Sequence, residues 1–292
     1  MSCNNLGMTF SIAAWDGSVS PPEWGVAVAS KFLAVGAAVP WVRAGAGAVA
    51  TQALANIAYG PDGLHLLHSG IDAATVVARL TGADEGREDR QLGVVDREGR
   101  AATFTGSACF DWAGGVAEVG FCCQGNILTG PEVVDAMAAA FRSSTGELAE
   151  RLLATLRAGD EAGGDRRGRQ SAALYVAREG GGYGGGTDRA VDLRVDDHVA
   201  PVDELARLWG IHSLLFPRRD TLEFVPIDED LAGELRYLLS QLGYDAGMGG
   251  GTPYDAELRA ALYEYVGTEN LEERWSEDAA VERRVLEHLR DR

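Results

Sequence analysis

Lysine is nearly missing from this 292-residue chain: of 26 basic residues, 25 are arginine and one, Lys31, is lysine. A lysine sheds its proton when desolvated and an arginine does not, so any role for a tunable side-chain amine falls on one position. Positive charge as a whole is scarce. Against 44 Asp and Glu the net charge is −18, a surface that repels nucleic acid and anionic lipid, and neither is expected as a partner. No apolar run reaches the roughly 18 residues a membrane span needs. The first residues carry neither the basic nor the apolar segment of a secretory signal. Cysteine is sparse too. Cys3, Cys109, Cys122 and Cys123 form no CxxC or metal-ligand spacing, and the adjacent pair cannot easily bond to itself. These features suggest buried, inert thiols in a reduced cytoplasmic setting.

The hydrophobic pattern starts with strands. TFSIAA at residues 9–14 alternates, with Thr9, Ser11 and Ala13 on one face and Phe10, Ile12 and Ala14 on the other. WGVAVASKF is a second alternating run, and AAVPWVRAGAGAVATQ reads as two more strands, so four successive strands suggest one hairpin-built antiparallel sheet. Leu64, Leu67, Val76, Val77 and Leu80 recur at helical spacing. RQLGVVDREGRAATFTG is a hairpin with DREG at its tip, and VGFCCQGNIL a buried strand. A helix is expected over 131–142, and a second from Ser144, where Ser144-Thr145-Gly146-Glu147 fits a capping box. QSAALYVAR and RAVDLRVDD flank GGGYGGG as strands, and PVDELARLWGIHSLLF follows as a helix. Segregated runs of strands and helices fit an α+β sandwich rather than a βαβ wind, and a four-layer αββα arrangement accommodates this order.

Residues 217–292 differ: 9 arginines face 18 acids, a net of −9. Leu231, Leu235, Leu238, Leu239 and Leu242 make one helical stripe, ended by Gly243, and Leu258, Leu262 and Val266 another. We read three segments: residues 1–8 as a leader or mis-assigned start, 9–216 as the main domain, and 217–292 as a small helical domain.

TFSIAAWD, VAVASKFLAVGAAVPWVRAGAGAVATQA, YGPDGLHLL, RQLGVVD, FTGSACFDWAG, CCQGNILTGPEVV and GGDRRGRQSAAL resemble the family designated domain of unknown function 1028. That family is grouped by fold with the N-terminal nucleophile (Ntn) hydrolases. LRYLLSQLGYDAG and YDAELRAALYEYVG are similar to the peptidoglycan-binding-like helical domain often attached to it. The resemblance implies an αββα sandwich and no assigned reaction. Many relatives carry WAGH where this chain has Trp112-Ala113-Gly114-Gly115, so a role for that histidine does not transfer.

In an Ntn hydrolase the first residue is the nucleophile and its own α-amine the base. A free α-amine has a pKa of about 7.7–8.0, near working pH, and can take the hydroxyl proton as threonine attacks an amide carbonyl. A peptide nitrogen cannot. Thr9 is therefore the candidate nucleophile if residues 1–8 are absent, and otherwise the first residue of a strand. Ser11 shares its face. Lys31, 22 residues on, is the candidate for stabilising transition-state charge, or a solvated strand-end lysine. Gln52, Asn56, Gln124 and Asn126 either donate to an oxyanion or cap the helix that follows each pair. Asp165 pairs with a loop arginine or holds a substrate amine. GGGYGGG has no following lysine and helix, so it reads as a hairpin tip rather than a phosphate loop. His65 and His68 lack a carboxylate ligand motif, and no metal or organic cofactor is expected. Two functions fit: an amidohydrolase acting on a small non-peptide amide or acyl compound, or a non-catalytic binding or scaffolding protein on the same fold. The acidic tail argues against a role at commonly anionic wall polymers; it reads as a protein- or self-association module that makes the chain a homo-oligomer.

Overall fold

A computed structural model describes residues 9–218 and 221–292. Residues 1–8, with Cys3, Met8 and the suspected leader, lie outside the described residues. The strands run β1 Thr9–Asp16, β2 Glu23–Ser30, β3 Pro40–Arg43, β4 Gly47–Ala53, β5 Arg90–Asp96, β6 Ala101–Thr105, β7 Gly114–Glu118, β8 Phe121–Asn126, β9 Ser171–Arg178 and β10 Arg189–Val195. Between them come α1 Tyr59–His68, α2 Ala73–Gly82, α3 Glu132–Ser143 and α4 Leu148–Glu161, with α5 Pro201–Leu215 after β10.

These strands form two antiparallel sheets, ordered β10-β9-β2-β1-β8-β7 and β3-β4-β5-β6. The first four strands thus divide between two sheets instead of sharing one, correcting the expectation from alternation. The free edge of β2 is taken by β9 over its whole length, Glu23 to Ser30, and β3 can pair only with β4. One apolar cluster holds Ala13, Val26, Val28, Ala48, Ala50, Val95 and Cys122, contributed by both sheets, so these residues face one another between them. Trp24 pins the sheets by donating its Nε1–H to the Asp96 carbonyl at 3.1 Å. The outer face of the smaller sheet packs Val49, Leu92 and Val94 against Leu67, Val76 and Leu80 of α1 and α2. Helices α3 and α4 pack on β1, β2 and β8.

With both faces covered, β1 and β2 are buried almost throughout. This explains why their alternation sets small residues against large ones more than polar against apolar. The capping box expected at Ser144 does not form. Ser144 Oγ donates back to the Phe141 carbonyl at 2.9 Å and the residue closes α3, while Gly146 sits at φ 97, outside any helical turn. Helix α4 begins at Leu148, with Glu147 as its N-cap.

The chain divides into two compact units, the second starting at Trp209, inside α5. That unit contains β11 Phe224–Pro226, α6 Glu229–Gln241, α7 Ala256–Thr268, β12 Ala280–Glu282 and α8 Arg283–Arg290. Its core gathers Leu235, Leu239, Leu258, Leu262, Tyr265 and Leu289, so both leucine stripes face inward. The α6 and α7 caps are Asp228 and Asp255, each accepting from a backbone N–H three residues on at 2.9 Å. At the centre, Arg274 and Glu282, each under 5 % exposed, pair at 2.8 Å. The same guanidinium holds the carbonyls of Ser213 and Leu214 at 2.7 and 2.6 Å. No described helix is long and apolar enough to cross a membrane.

Candidate functional site

Side chains on a strand alternate between faces, so the inward row of each strand can be followed residue by residue. On β1 it reads Ala13, Ser11, Thr9; on β2, Val28 then Ser30; on β4, Ala50 then Gln52. On β5 it passes from Val95 through Gly93 to Gln91, and on β8 from Cys122 through Gln124 to Asn126. At one end of the inter-sheet layer every row thus turns from apolar to neutral polar. These groups are almost wholly buried, and burial obliges them to hydrogen-bond one another.

The bonds form a connected network. Gln124 Nε2 donates to Ser11 Oγ at 2.7 Å, and Ser11 passes its own proton to Gln52 Oε1 at 2.6 Å. That fixes the Gln52 amide with its nitrogen toward the Gln91 Oε1 at 2.8 Å and the Thr9 carbonyl at 3.3 Å. Asn126 Nδ2 donates to the same Gln91 oxygen at 3.1 Å. Gln91 Nε2 in turn reaches the Gly125 carbonyl at 2.7 Å, Thr105 Oγ1 at 2.9 Å and the Gly114 carbonyl at 3.2 Å. Gly93 lies beneath the Gln124 amide, where a Cβ would stand 2.2 Å from Oε1; only glycine leaves that amide its place. Among the described residues Gln124 Oε1 has no hydrogen-bond partner.

Thr9, 2 % exposed, stands opposite Asn126 in the β1–β8 ladder. Its hydroxyl lies 3.1 Å from Ser30 Oγ. Five of the expected site residues are therefore together: Thr9, Ser11, Gln52, Gln124 and Asn126. The others stand apart from this cluster. Lys31 is exposed, donates its Nζ to the Arg169 carbonyl at 3.3 Å and its backbone N–H to Asp165 at 2.8 Å. Asp165 also takes the Arg167 guanidinium at 3.1 Å, the loop-arginine pairing its context suggested. Asn56 closes a turn before α1, its Oδ1 accepting from the Ala58 N–H at 3.1 Å, and its Nδ2 donates to Asp84 at 3.1 Å.

Asp84 is a hub of its own, receiving Tyr59, Arg90 and the Gly86 N–H as well. Burial would raise its pKa, but the hydrogen bonds from Asn56, Arg90, Gly86 and Tyr59 outweigh it and hold the carboxyl well below the usual range. Burial and the Asp84 carboxylate together raise the Tyr59 phenol. Burial also pushes the Cys122 thiol up to about 12, an inert state for a cysteine on the inward row. Among the described residues no group of three or more His, Cys, Asp or Glu is placed to hold a metal ion.

Ser30 and Gln91 were not singled out in the sequence, although parity marks both. In the β1–β2 register Phe10 faces Ala29, so the next antiparallel pair is Thr9 and Ser30, and Lys31 falls on the wrong side of the count. Gln91 is two residues along the inward row from Gly93. Position 115 pairs with Gln124, and a Cβ there would lie 2.9 Å from both Thr103 Oγ1 and the Cys123 carbonyl, so glycine suits this packing.

Residues 214–289 match the family model described as "Putative peptidoglycan binding domain". No curated protein matches the chain. Among solved structures, the crystal structure of protein SPO2555 from Silicibacter pomeroyi is similar, with 34% identity and a TM-score of 0.64 over 70% of this chain and 86% of that one. It carries the same family model that matches residues 9–205 here, described as Family of unknown function (DUF1028). That match spans every strand of both sheets and all the residues of the buried network, and through it the chain belongs to DUF1028.

Proposed function

We propose that this protein is an amidohydrolase of the N-terminal-nucleophile type, built as a four-layer αββα sandwich and acting on a small non-peptide amide or related acyl compound. The observation that carries the reading is the position of Thr9. It is the first residue of a central strand, inward-facing, with its hydroxyl against Ser30 and its carbonyl held by Gln52. Once residues 1–8 are removed, its α-amine takes the hydroxyl proton as Oγ1 bonds to the substrate carbonyl carbon. The C–N bond then breaks, the amine leaves with that proton, and water hydrolyses the ester with the same α-amine as base. Asn126 gives one N–H to Gln91, leaving the other for the developing oxyanion. Ser11 is a positioning residue, acting on Thr9 through Gln52. Lys31 enters as a neighbour of Ser30 rather than a contact of the hydroxyl.

A second reading has its own observation. The contacts of Thr9 above are with neutral groups, and the Lys31 ammonium is turned to the Arg169 carbonyl. With Thr9 still in peptide linkage, the site binds a ligand without chemistry, and the C-terminal unit serves as an association module in a homo-oligomer.

Intact mass and N-terminal sequencing of natively expressed protein separate the two. The hydrolase reading expects Thr9 at the terminus and covalent labelling by an electrophilic β-lactone that Thr9→Ala abolishes. An N-terminus at Ser2, or equal labelling of Thr9→Ala, overturns it.

A further inference from the structure

Thr9 is closed off from solvent, at 2 % exposure. The recess that Asn126 lines, between the loops after β4 and β6, has about 10 Å³ of space, room for one water, and Thr9 is not on its wall. A reactant reaches the Thr9 hydroxyl only if an element at this end of the sheets moves.

Residues 163–170, GGDRRGRQ, lie across that end. In the larger sheet β1 runs between β8 and β2, and this segment is bonded to both neighbours just past Thr9. On the β8 side Asp165 bridges to Leu128. There the Arg166 N–H donates to the Ile127 carbonyl at 3.3 Å, and the Thr129 N–H to the Gly164 carbonyl at 3.2 Å. On the β2 side the Asp165 carboxylate accepts from the Lys31 N–H at 2.8 Å, and the Gln170 N–H donates to the Ser30 carbonyl at 3.1 Å. The segment is a strap across the start of β1.

What holds the strap is polar. Arg166, Arg167, Gly168 and Arg169 are exposed, and a segment that buries so little apolar surface opens locally at low cost. Asp165 is the exception, at 6 % exposure. Besides Lys31 it takes the Arg167 N–H at 2.9 Å and the Arg167 guanidinium at 3.1 Å. The other buried carboxylates described in this unit, Asp16, Glu23 and Asp96, sit at the opposite strand ends. Gly164, φ 52, and Gly168, φ 108, bracket Asp165 with the backbone freedom a hinge needs.

We infer that the 163–170 strap is a door over Thr9 and that the Asp165 carboxylate is its latch. The door lifts as a local opening that leaves both sheets folded, and Thr9 is reached only while it is up. The inference rests on the amidohydrolase reading for what enters, and on the strap's own bonding for the opening.

A thiol at position 9 reads the door without chemistry at Thr9. In the full chain carrying Cys3→Ser, Cys109→Ser and Thr9→Cys, alkylation by iodoacetamide is followed by mass spectrometry at rising urea below the unfolding transition. Cys122 and Cys123, sealed in the core, report global unfolding in the same molecule. The thiol at position 9 is expected to react at least about tenfold faster than these two, at a rate nearly independent of urea, because a local opening exposes little surface. Asp165→Asn puts a donor where Lys31 and Arg167 need an acceptor, and is expected to speed position 9 about tenfold further without a matching rise at Cys122. Glu23→Gln, at the opposite strand end, is expected to speed the core thiols alone. Hydrogen exchange of the Lys31 and Arg167 amides in the unsubstituted chain reads the same opening, so a variant that fails to fold does not decide the outcome. A thiol at position 9 that reacts only in step with Cys122 overturns the inference. So does an Asp165→Asn rate equal to the parent's, or exchange of both amides through global unfolding alone. An opening door in a protein whose native Thr9 is never labelled by the β-lactone keeps the strap and removes the hydrolase reading; labelling with no effect of Asp165→Asn at position 9 does the reverse.

Discussion

Gln91→Leu is the most informative single change to the buried network, because one side chain holds both ends of it. Gln91 accepts from Gln52 and Asn126 and donates to Gly125, Thr105 and Gly114. Leucine fills a similar volume with none of these bonds. Gln52 Nε2 keeps alternatives at the Thr9 and Gln124 carbonyls, at 3.3 and 3.4 Å. The Asn126 amide and the Gly125 carbonyl lose the partners described above. Two buried polar groups left unsatisfied cost about 2–6 kcal/mol together, and the added apolar surface of leucine returns roughly 1 kcal/mol. The net loss is about 3 kcal/mol, or roughly 6–12 °C in Tm for a unit of this size. Scanning calorimetry of the full-length chain reads it as a shift of the N-terminal unit's transition. Gln91→Glu serves as comparator: its carboxylate faces two carbonyls and is expected to destabilise more at neutral pH. A Gln91→Leu protein melting within about 2 °C of the parent would refute the premise that this network is closed and dry.

Two further outcomes follow from charged groups elsewhere. The Asp84 carboxyl is held below its unfolded value of about 3.9, so its contribution is present above that pH and is lost as pH falls through the lower folded value. Urea unfolding should therefore show Asp84→Asn less stable than the parent at pH 7, with the gap closing steadily below about pH 4; a gap independent of pH refutes the linkage. In the C-terminal unit, Arg274→Met leaves the Glu282 carboxylate buried without its cation and two carbonyls without donors, a loss of about 3–5 kcal/mol. Calorimetry should show that loss in the second transition alone, and a shift equivalent to under about 1 kcal/mol would contradict the buried pairing.

The elements were legible in the sequence where one rule governed them. The β5–β6 hairpin, the strand through Cys122 and Cys123 and the leucine stripes of α6 and α7 all follow from periodicity. Sheet membership was not, because alternation says which face a residue occupies and nothing about which strand claims an edge; β9, more than a hundred residues downstream, takes the edge of β2. Around the site, Thr9 entered through the family resemblance, Ser11 by sharing its face in the alternation, and Gln52, Gln124 and Asn126 as amides near strand ends; the folded chain brings these five side chains together. Ser30 was overlooked for Lys31, as chemical type was weighed before strand parity. Asn56 was read alongside Gln52 from proximity in sequence, yet β4 ends between them and the chain turns toward Asp84. The capping box at Ser144 failed on Gly146, whose backbone needs no helix.

The neutrality of the inward row has a consequence for measurement. Serine, threonine, glutamine and asparagine side chains neither gain nor lose protons across the range in which enzymes are assayed, so the network contributes no titration of its own. Should Thr9 carry the free amine, a rate profile against pH would rise with one inflection near that amine's pKa of about 7.7–8.0. The silent surroundings would turn the ionisation of a single chain end into the whole signal.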